Sequence, residues 1–141
     1  MTHLDSDSFT LVYYRKPGIT ERVLATRDAG QLAIPIVVRI EALIGRLEAV
    51  RKAATAADIL AMQDRLATTE ELLDTFDVIP FDAAAGEHFD RLPPNKKIKK
   101  KIGRADLLIA CIALAHDATL VTRNVKDFVN IPGLTVENWA D

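Results

Sequence analysis

The chain has 141 residues, of which 49% are hydrophobic and 27% are charged, and its formal net charge at pH 7 is −2. This composition excludes a disordered polypeptide, and the length predicts a single domain, residues 1–141, with one hydrophobic core. Because no run approaches the roughly 20 consecutive apolar residues of a membrane span and the first residues lack the basic-then-apolar pattern of a secretory signal, we expect a cytoplasmic protein without a membrane partner.

Two short helices are predicted after a brief first strand that ends at Leu4. The first helix covers residues 7–14 and is broken by Lys16-Pro17-Gly18. The second helix starts with Thr20 as its N-cap and runs to about Ala29. Both helices are expected at the surface of the core.

A second strand lies within residues 32–38 and leads into a long helix with one apolar face. Glu41 falls on the shoulder of this face, neither plainly buried nor plainly exposed. A second amphipathic helix is predicted over residues 56–76, and the helix pair either packs in the core or supplies hydrophobic surface for a partner. The apolar face of the first of these helices comprises Ile36, Ile40, Leu43, Ile44, Leu47 and Val50.

A short strand over residues 78–80 and a helix from Asp82, as N-cap, to about Leu92 come next. Pro93-Pro94 ends that helix, so the following basic segment, residues 96–104, is expected in a loop. This segment contains six basic residues and no acid, and it creates a local positive field in a chain whose total charge is negative. Such runs are more often plain solvated surface than binding sites.

A helix beginning near Arg104 is apolar on all sides over residues 107–115, which predicts a helix buried at the centre of the domain. Its Cys111 is expected to be a small core residue, because a single cysteine forms no intramolecular disulfide. A strand over residues 119–121, a helical turn over 124–128 and a last extended segment over 134–137 complete the chain.

Strands that alternate with helices predict the α/β class, with a central, mainly parallel sheet covered by helices on both faces. Sites in such sheets form beyond the carboxyl ends of the strands. Asp5 follows the first strand, Thr122 and Asn124 follow the fourth, and Asp106 opens a helix on the same side. If these residues converge with Glu41 and Asp127, their mutual repulsion requires a cation, and carboxylates around a divalent metal are typical of nucleases and phosphatases.

Each acid also has a purely structural explanation. Asp106 could complement a helix dipole, Asp5 or Asp7 could cap the first helix, Glu41 could be an exposed helical acid, and Asp127 could stabilise a turn. It is the coincidence of the acids at one sheet edge that favours a site.

Two other metal motifs share the Asp5-Ser6-Asp7 spacing. A calcium-binding EF-hand loop is excluded, because Phe9 and Thr10 occupy positions where that loop requires a further oxygen ligand and a glycine. The first motif of haloacid-dehalogenase-type phosphatases comes closer, but Phe9 stands where that motif has Thr or Val, and no paired-acid motif follows a later strand.

Four stretches of the chain resemble the PIN-domain ribonucleases and, within them, the VapC-type toxins of bacterial toxin–antitoxin pairs. LDSDSFT resembles the opening LDT(D/N) of the family, and RIEALIGR resembles its E-xxx-G helix. IGRADLLIACIAL and LVTRNVKDFVNIPGL resemble the longer and more specific IG-xx-D-xx-IA and T-x-N-xx-DF-xx-IPGL motifs. The resemblance spans almost the whole chain and implies a PIN-like α/β/α sandwich.

Metal-assisted hydrolysis of RNA is the activity that this resemblance implies, with Mg²⁺ or Mn²⁺ as cofactor. The implied catalytic acids are Asp5, Glu41, Asp106 and Asp127, and Asp5 and Asp106 are expected to hold most of the metal. The expected supporting residues are Ser6, Asp7, Thr122 and Asn124. The expected contacts to the RNA backbone are Lys97, Lys99, Lys100, Lys101, Arg104 and Arg123.

The same resemblance implies partners: an RNA substrate, a cognate antitoxin and a second copy in a homodimer. Two alternatives stay open at this point, namely a catalytically silent PIN-fold binding or scaffold module and the Mg-dependent phosphatase. The three histidines, His3, His88 and His116, have no motif companions and are interpreted as structural or surface residues.

Overall fold

The computed structural model describes residues 1–92 and 102–141 of the chain. The predicted break at Pro93-Pro94, most of the predicted basic loop and four of the expected RNA contacts, Lys97, Lys99, Lys100 and Lys101, lie outside the described residues. Within these ranges, the helices are all too short or too polar to cross a bilayer.

Five parallel strands form one sheet in the order β3-β2-β1-β4-β5, which confirms the predicted α/β class. Consecutive residues are buried along β1 and β2, so both faces of the central strands are covered. The strands are β1 (Thr2–Leu4), β2 (Leu32–Pro35), β3 (Asp77–Ile79), β4 (Thr119–Val121) and β5 (Thr135–Glu137).

The register of β1 and β4 brings two distant parts of the sequence together. Leu4 at the end of β1 pairs with Val121 at the end of β4. The chain therefore leaves both strands at the same edge, as predicted, and the Asp5 backbone N–H donates to the Val121 carbonyl at 3.1 Å.

Seven helices of the described residues surround the sheet, close to the predicted positions. The central one is buried around Ile109 and Ile112, as its apolar sequence predicts, and Cys111 is buried with them. The helices are α1 (Ser6–Tyr13), α2 (Ile19–Asp28), α3 (Ile36–Lys52), α4 (Ala56–Leu73), α5 (Ala83–Arg91), α6 (Arg104–Ala115) and α7 (Val125–Phe128).

The predicted N-cap of α2 is wrong. Gly18 caps this helix with φ of 90°, a left-handed conformation that glycine adopts without strain, and its N–H donates to the Glu21 carboxylate. Thr20 instead lies inside the first turn, and its hydroxyl donates to the Lys16 carbonyl at 2.7 Å. Asp82 caps α5 as predicted, accepting from the Ala85 N–H at 2.9 Å.

The apolar face predicted for α3 is largely not the face that enters the core. Ile44 and Leu47 are each 55% exposed and Ile40 is 47% exposed, whereas Val37 and Val38 are buried. Leu60 on α4 is also exposed. The hairpin of α3 and α4 therefore presents hydrophobic surface to solvent, and its contact with a partner stays a prediction.

Candidate active site

Asp5 is fixed at the edge of the sheet by its neighbours in sequence and in space. It is almost fully buried and caps α1, with Oδ1 accepting from the Ser8 N–H at 2.8 Å. The Thr122 hydroxyl, buried beside it after β4, also bonds to this carboxylate. Asp5 is thus a helix cap, and the same bonds orient its carboxylate at the edge where the site was predicted.

Asp106 lies in the first turn of α6, and its environment shows that the acids converge. Burial, as the largest cause, and the negative charges of Asp5, Glu41, Asp7 and Asp127, in decreasing order of effect, together raise the pKa of Asp106 to about 6. Asp5 follows β1, and the other three acids lie on α1, α3 and α7. The structure therefore brings the other three predicted catalytic acids, and Asp7, within electrostatic reach of Asp106.

Burial also raises the pKa of Asp5. Hydrogen bonds from Thr122 and Ser8 oppose this shift, and the charge of Asp7 adds to it. Asp5 and Asp106 are neighbouring carboxyl groups, and the pKa of each is raised, so ionising both at once is unfavourable. A bound cation would remove this conflict, since positive charge favours the ionised form of each.

Two hydrogen bonds tie the rim of the site together. Ser6 Oγ donates to Glu41 Oε1, which joins the start of α1 to α3. Asn124 Nδ2 donates to Asp7 Oδ2 at 3.1 Å, which joins α1 to the segment after β4. Glu41 is exposed, so it reaches the group of acids from the solvent side.

The segment after β4 carries the remaining predicted supporting residues. Thr122 Oγ1 accepts from the Asn124 N–H at 3.0 Å, and the Asp127 N–H bonds to the Asn124 carbonyl at 3.0 Å. This turn presents Asp127 to the site while keeping its side chain exposed.

Ser8 is the residue that the sequence reasoning missed. It is fully buried, its N–H bonds to Asp5 and its hydroxyl donates to the Val121 carbonyl at 3.2 Å. The signal was present, because the residue three positions after an N-cap supplies the N–H that the cap accepts.

Of the expected RNA contacts, only the arginines are described. Arg123 is exposed immediately after Thr122. Arg104 is exposed at the start of α6, and its guanidinium carbon lies 4.8 Å from the centre of the Phe89 ring. This contact with an aromatic ring was not predicted.

The donor set suits a hard divalent cation held by few direct protein ligands. Across residues 1–92 and 102–141, no three acidic, histidine or cysteine side chains form a ready-made metal shell. Mg²⁺ commonly takes one or two carboxylates and fills its other positions with water and phosphate oxygens. Asp5 and Asp106 fit that requirement, with the other acids acting at longer range.

A family profile and the similar proteins of known function agree on one family for this chain. The profile of the PIN domain matches residues 7–134. Ribonuclease VapC2 of Rickettsia felis is 43% identical over 68 residues, which are 48% of this chain and 51% of that protein. The tRNA(fMet)-specific endonuclease VapC of Salmonella typhimurium is 30% identical over 82 residues, 57% of this chain and 62% of that protein. The matched segments thus span about half to three-fifths of these relatives.

Solved structures match over nearly the full length. VapBC2 from Rickettsia felis, bound to a DNA fragment from its promoter, contains a chain with a TM-score of 0.77 and 27% identity, covering 98% of both chains. The DNA-bound VapBC of Salmonella typhimurium gives a TM-score of 0.79 at 25% identity, covering 99% of both chains.

Proposed function

This chain belongs to the PIN domain family, and we propose that it is a metal-dependent endoribonuclease acting as the toxin of a toxin–antitoxin pair. The observation that carries the proposal is the convergence of Asp5, Glu41 and Asp127 on Asp106, whose pKa they help to raise. Such a concentration of carboxylates is unfavourable without a cation and is suited to metal-assisted hydrolysis.

Asp5 and Asp106 are the proposed metal-holding residues, and Glu41 and Asp127 complete the set of catalytic acids. When bound, Mg²⁺ or Mn²⁺ would supply an acidified water and neutralise charge on the scissile phosphate. Ser8 and Thr122 hold the Asp5 carboxylate in place through the hydrogen bonds described above. Ser6 does the same for Glu41, and Asn124 for Asp7.

Contacts to the RNA backbone are assigned in this proposal to Arg104, Arg123 and the basic segment. Lysine contacts to phosphate supply affinity without base recognition, so these residues are expected to set the strength of binding more than its sequence preference. Lys97, Lys99, Lys100 and Lys101 retain this role as a prediction from the sequence.

The similarity to chains of solved VapBC complexes supports a cognate antitoxin as a partner. The proposal also includes a second copy of the chain, as a prediction from the sequence. Exposed Ile44 and Leu47 on α3 and Leu60 on α4 offer hydrophobic surface for such an interaction. The proposal places these encounters in the cytoplasm, where both RNA and a co-produced antitoxin would be met.

A cleavage assay tests the activity directly. The purified chain is incubated with tRNA and mRNA in Mg²⁺, Mn²⁺ or EDTA, beside Asp106→Asn and the control Asp64→Asn, an exposed acid on α4. We expect cleavage with metal, none with EDTA or Asp106→Asn, and normal cleavage by Asp64→Asn. RNA binding without EDTA-sensitive cleavage would instead indicate a silent binding module, and hydrolysis of small phosphoesters alone would indicate a phosphatase.

A further inference from the structure

A small cleft lies beside the acidic site and shares Glu41 with it. The cleft encloses about 240 Å³ between α1, α3 and the inner face of α4. This volume is below the usual range for pockets that enclose a drug-sized ligand, so it suits a single small group. The residues that matter here are Tyr13, Tyr14, Glu41, Gly45, Arg46 and Thr69.

Arg46 carries the positive charge of the cleft. Its guanidinium carbon lies 4.4 Å from the centre of the Tyr13 ring and 6.0 Å from that of Tyr14, and Nε donates to Thr69 Oγ1 at 3.0 Å. The salt bridges of the described residues do not include Arg46. A guanidinium that is held in place but not neutralised by these residues suits an anionic ligand such as a phosphate.

Tyr14 supplies an aromatic surface next to this charge. Its side chain is 60% exposed, and its ring stands at 88° to that of Tyr13, with 5.0 Å between the ring centres. An exposed aromatic ring beside an arginine is the combination by which proteins bind single-stranded nucleic acids, since bases stack on the ring and the backbone meets the charge.

Gly45 keeps the floor of the cleft open. It lies inside α3, where glycine is less favourable than alanine for helix stability. A Cβ at this position would meet no atom within 4 Å, so packing does not require glycine here. A larger side chain would project into the cleft.

We propose that this cleft is a nucleotide subsite for single-stranded RNA, in which a base stacks on Tyr14 and a neighbouring phosphate contacts Arg46. The inference rests on the proposed function in one respect: Glu41 belongs to both sites, so a strand with its scissile phosphate at the acids would place a flanking nucleotide here.

Binding is measured on Asp106→Asn protein, which is expected not to cleave, by fluorescence anisotropy with a short single-stranded RNA. Tyr14→Ala should weaken binding roughly 5- to 150-fold, the range for loss of one base–aromatic stack. Tyr14→Phe, which keeps the ring, should recover most of that loss. Scanning an abasic nucleotide along the RNA should reveal one position with a similar loss, at which Tyr14→Ala adds nothing further.

Two further variants test the charge of Arg46 and the open space beside Gly45 separately from base stacking on Tyr14. RNA affinity falls as salt concentration rises, and Arg46→Gln should make the slope of log affinity against log salt less steep by about 0.7, the value for one single-strand phosphate contact. Arg65 is an exposed arginine on α4, and Arg65→Gln should leave the slope unchanged. Gly45→Leu should weaken RNA binding while raising the melting temperature. Folding of every variant is checked by that melting temperature.

The outcomes distinguish this inference from the proposed activity. If the chain cleaves RNA and Tyr14→Ala leaves both Kd and kcat/KM unchanged, the subsite is overturned and the ribonuclease stands. If RNA binding depends on Tyr14 as described but the metal-loaded chain never cleaves, the subsite stands and the ribonuclease falls. If Tyr14→Ala spares RNA binding and weakens only association with a protein partner, the cleft is a protein contact and the subsite is wrong.

Discussion

Ser6 Oγ donates a hydrogen bond to Oε1 of Glu41, and this bond links the first residue of α1 to α3. Glu41 is exposed and sits on a helix with one face open to solvent, so its side chain has freedom that the buried Asp5 lacks. The Ser6 hydroxyl thus holds a surface carboxylate toward the acids of the site.

Removing this hydroxyl should reduce cleavage without affecting the fold. Hydrogen-bond partners of residues around a metal site typically contribute 10- to 100-fold to activity or metal affinity. We expect Ser6→Ala to lower kcat/KM by roughly 10-fold, with an unchanged melting temperature. Ser6→Thr keeps the hydroxyl and should retain most of the activity. Equal rates for wild type and Ser6→Ala would show that the bond does not orient Glu41 for catalysis.

The two roles of Asp5 can be separated by substitution. Asparagine caps helices as well as aspartate, so Asp5→Asn should preserve the Ser8 bond and the melting temperature while abolishing cleavage. Asp5→Ala removes the cap as well and should cost about 1 kcal/mol of unfolding free energy. Chemical denaturation beside the cleavage assay measures both effects. Retained activity in Asp5→Asn would remove Asp5 from the proposed catalytic set.

The position of the site could be predicted from the sequence more accurately than the burial of the helix faces. Parallel strands with crossover helices necessarily put the residues after β1 and β4 at one edge, which is why Asp5 and Thr122 could be paired in advance. Periodicity, in contrast, identifies an apolar face but not the neighbour that covers it. For this reason the exposure of Ile44 on α3 could not be predicted from the sequence.

The missed cap of α2 has a similarly local cause. Threonine is among the residues that favour the N-cap position, and residue type alone therefore predicts Thr20 as the cap. The outcome depended on the positive φ of Gly18 and on the reach of the Glu21 side chain, and both belong to the geometry of the folded turn.

Neutralising Asp106 should stabilise the metal-free protein. A carboxyl group whose pKa is raised to about 6 in the folded state, above its ordinary value, binds a proton more readily when folded. Its ionisation therefore destabilises the fold as pH rises from about 4 to about 6. Because this group is partly exposed, we expect Asp106→Asn to be more stable by only about 1 kcal/mol at pH 7.5 in EDTA.

Denaturant unfolding of both proteins between pH 4 and 8 measures this effect. The advantage of Asp106→Asn should shrink toward pH 4, where the wild-type carboxyl group is protonated in the folded state and is no longer a source of repulsion. Added Mg²⁺ should then stabilise wild type more than Asp106→Asn, because a ligand of the folded state raises its stability. A wild-type protein that is the more stable of the two in EDTA at pH 7.5 would refute the account of mutual repulsion.

His3 should make the protein sensitive to acid. It is fully buried in β1, and neither ring nitrogen has a hydrogen-bond partner among the described residues. Burial is the largest cause that lowers the pKa of His3. The positive charges of His116, whose ring centre lies 5.9 Å away, and of the N-terminus contribute as well, and together these causes bring the pKa to about 4. Because the unfolded chain takes up this proton first, stability is retained above pH 6.5 and lost as pH falls toward 4.

The loss of unfolding free energy attributable to His3 should approach about 3 kcal/mol at pH 4, which is the free-energy equivalent of the lowered pKa. His3→Leu cannot take up the proton, so its unfolding free energy should fall less steeply than that of wild type between pH 6.5 and pH 4. His88→Asn on α5 serves as the control and should follow wild type, because His88 lies on another element with no contact to His3 among the ring contacts described. Parallel curves for wild type and His3→Leu over this pH range would mean that the buried imidazole is not the source of the acid sensitivity.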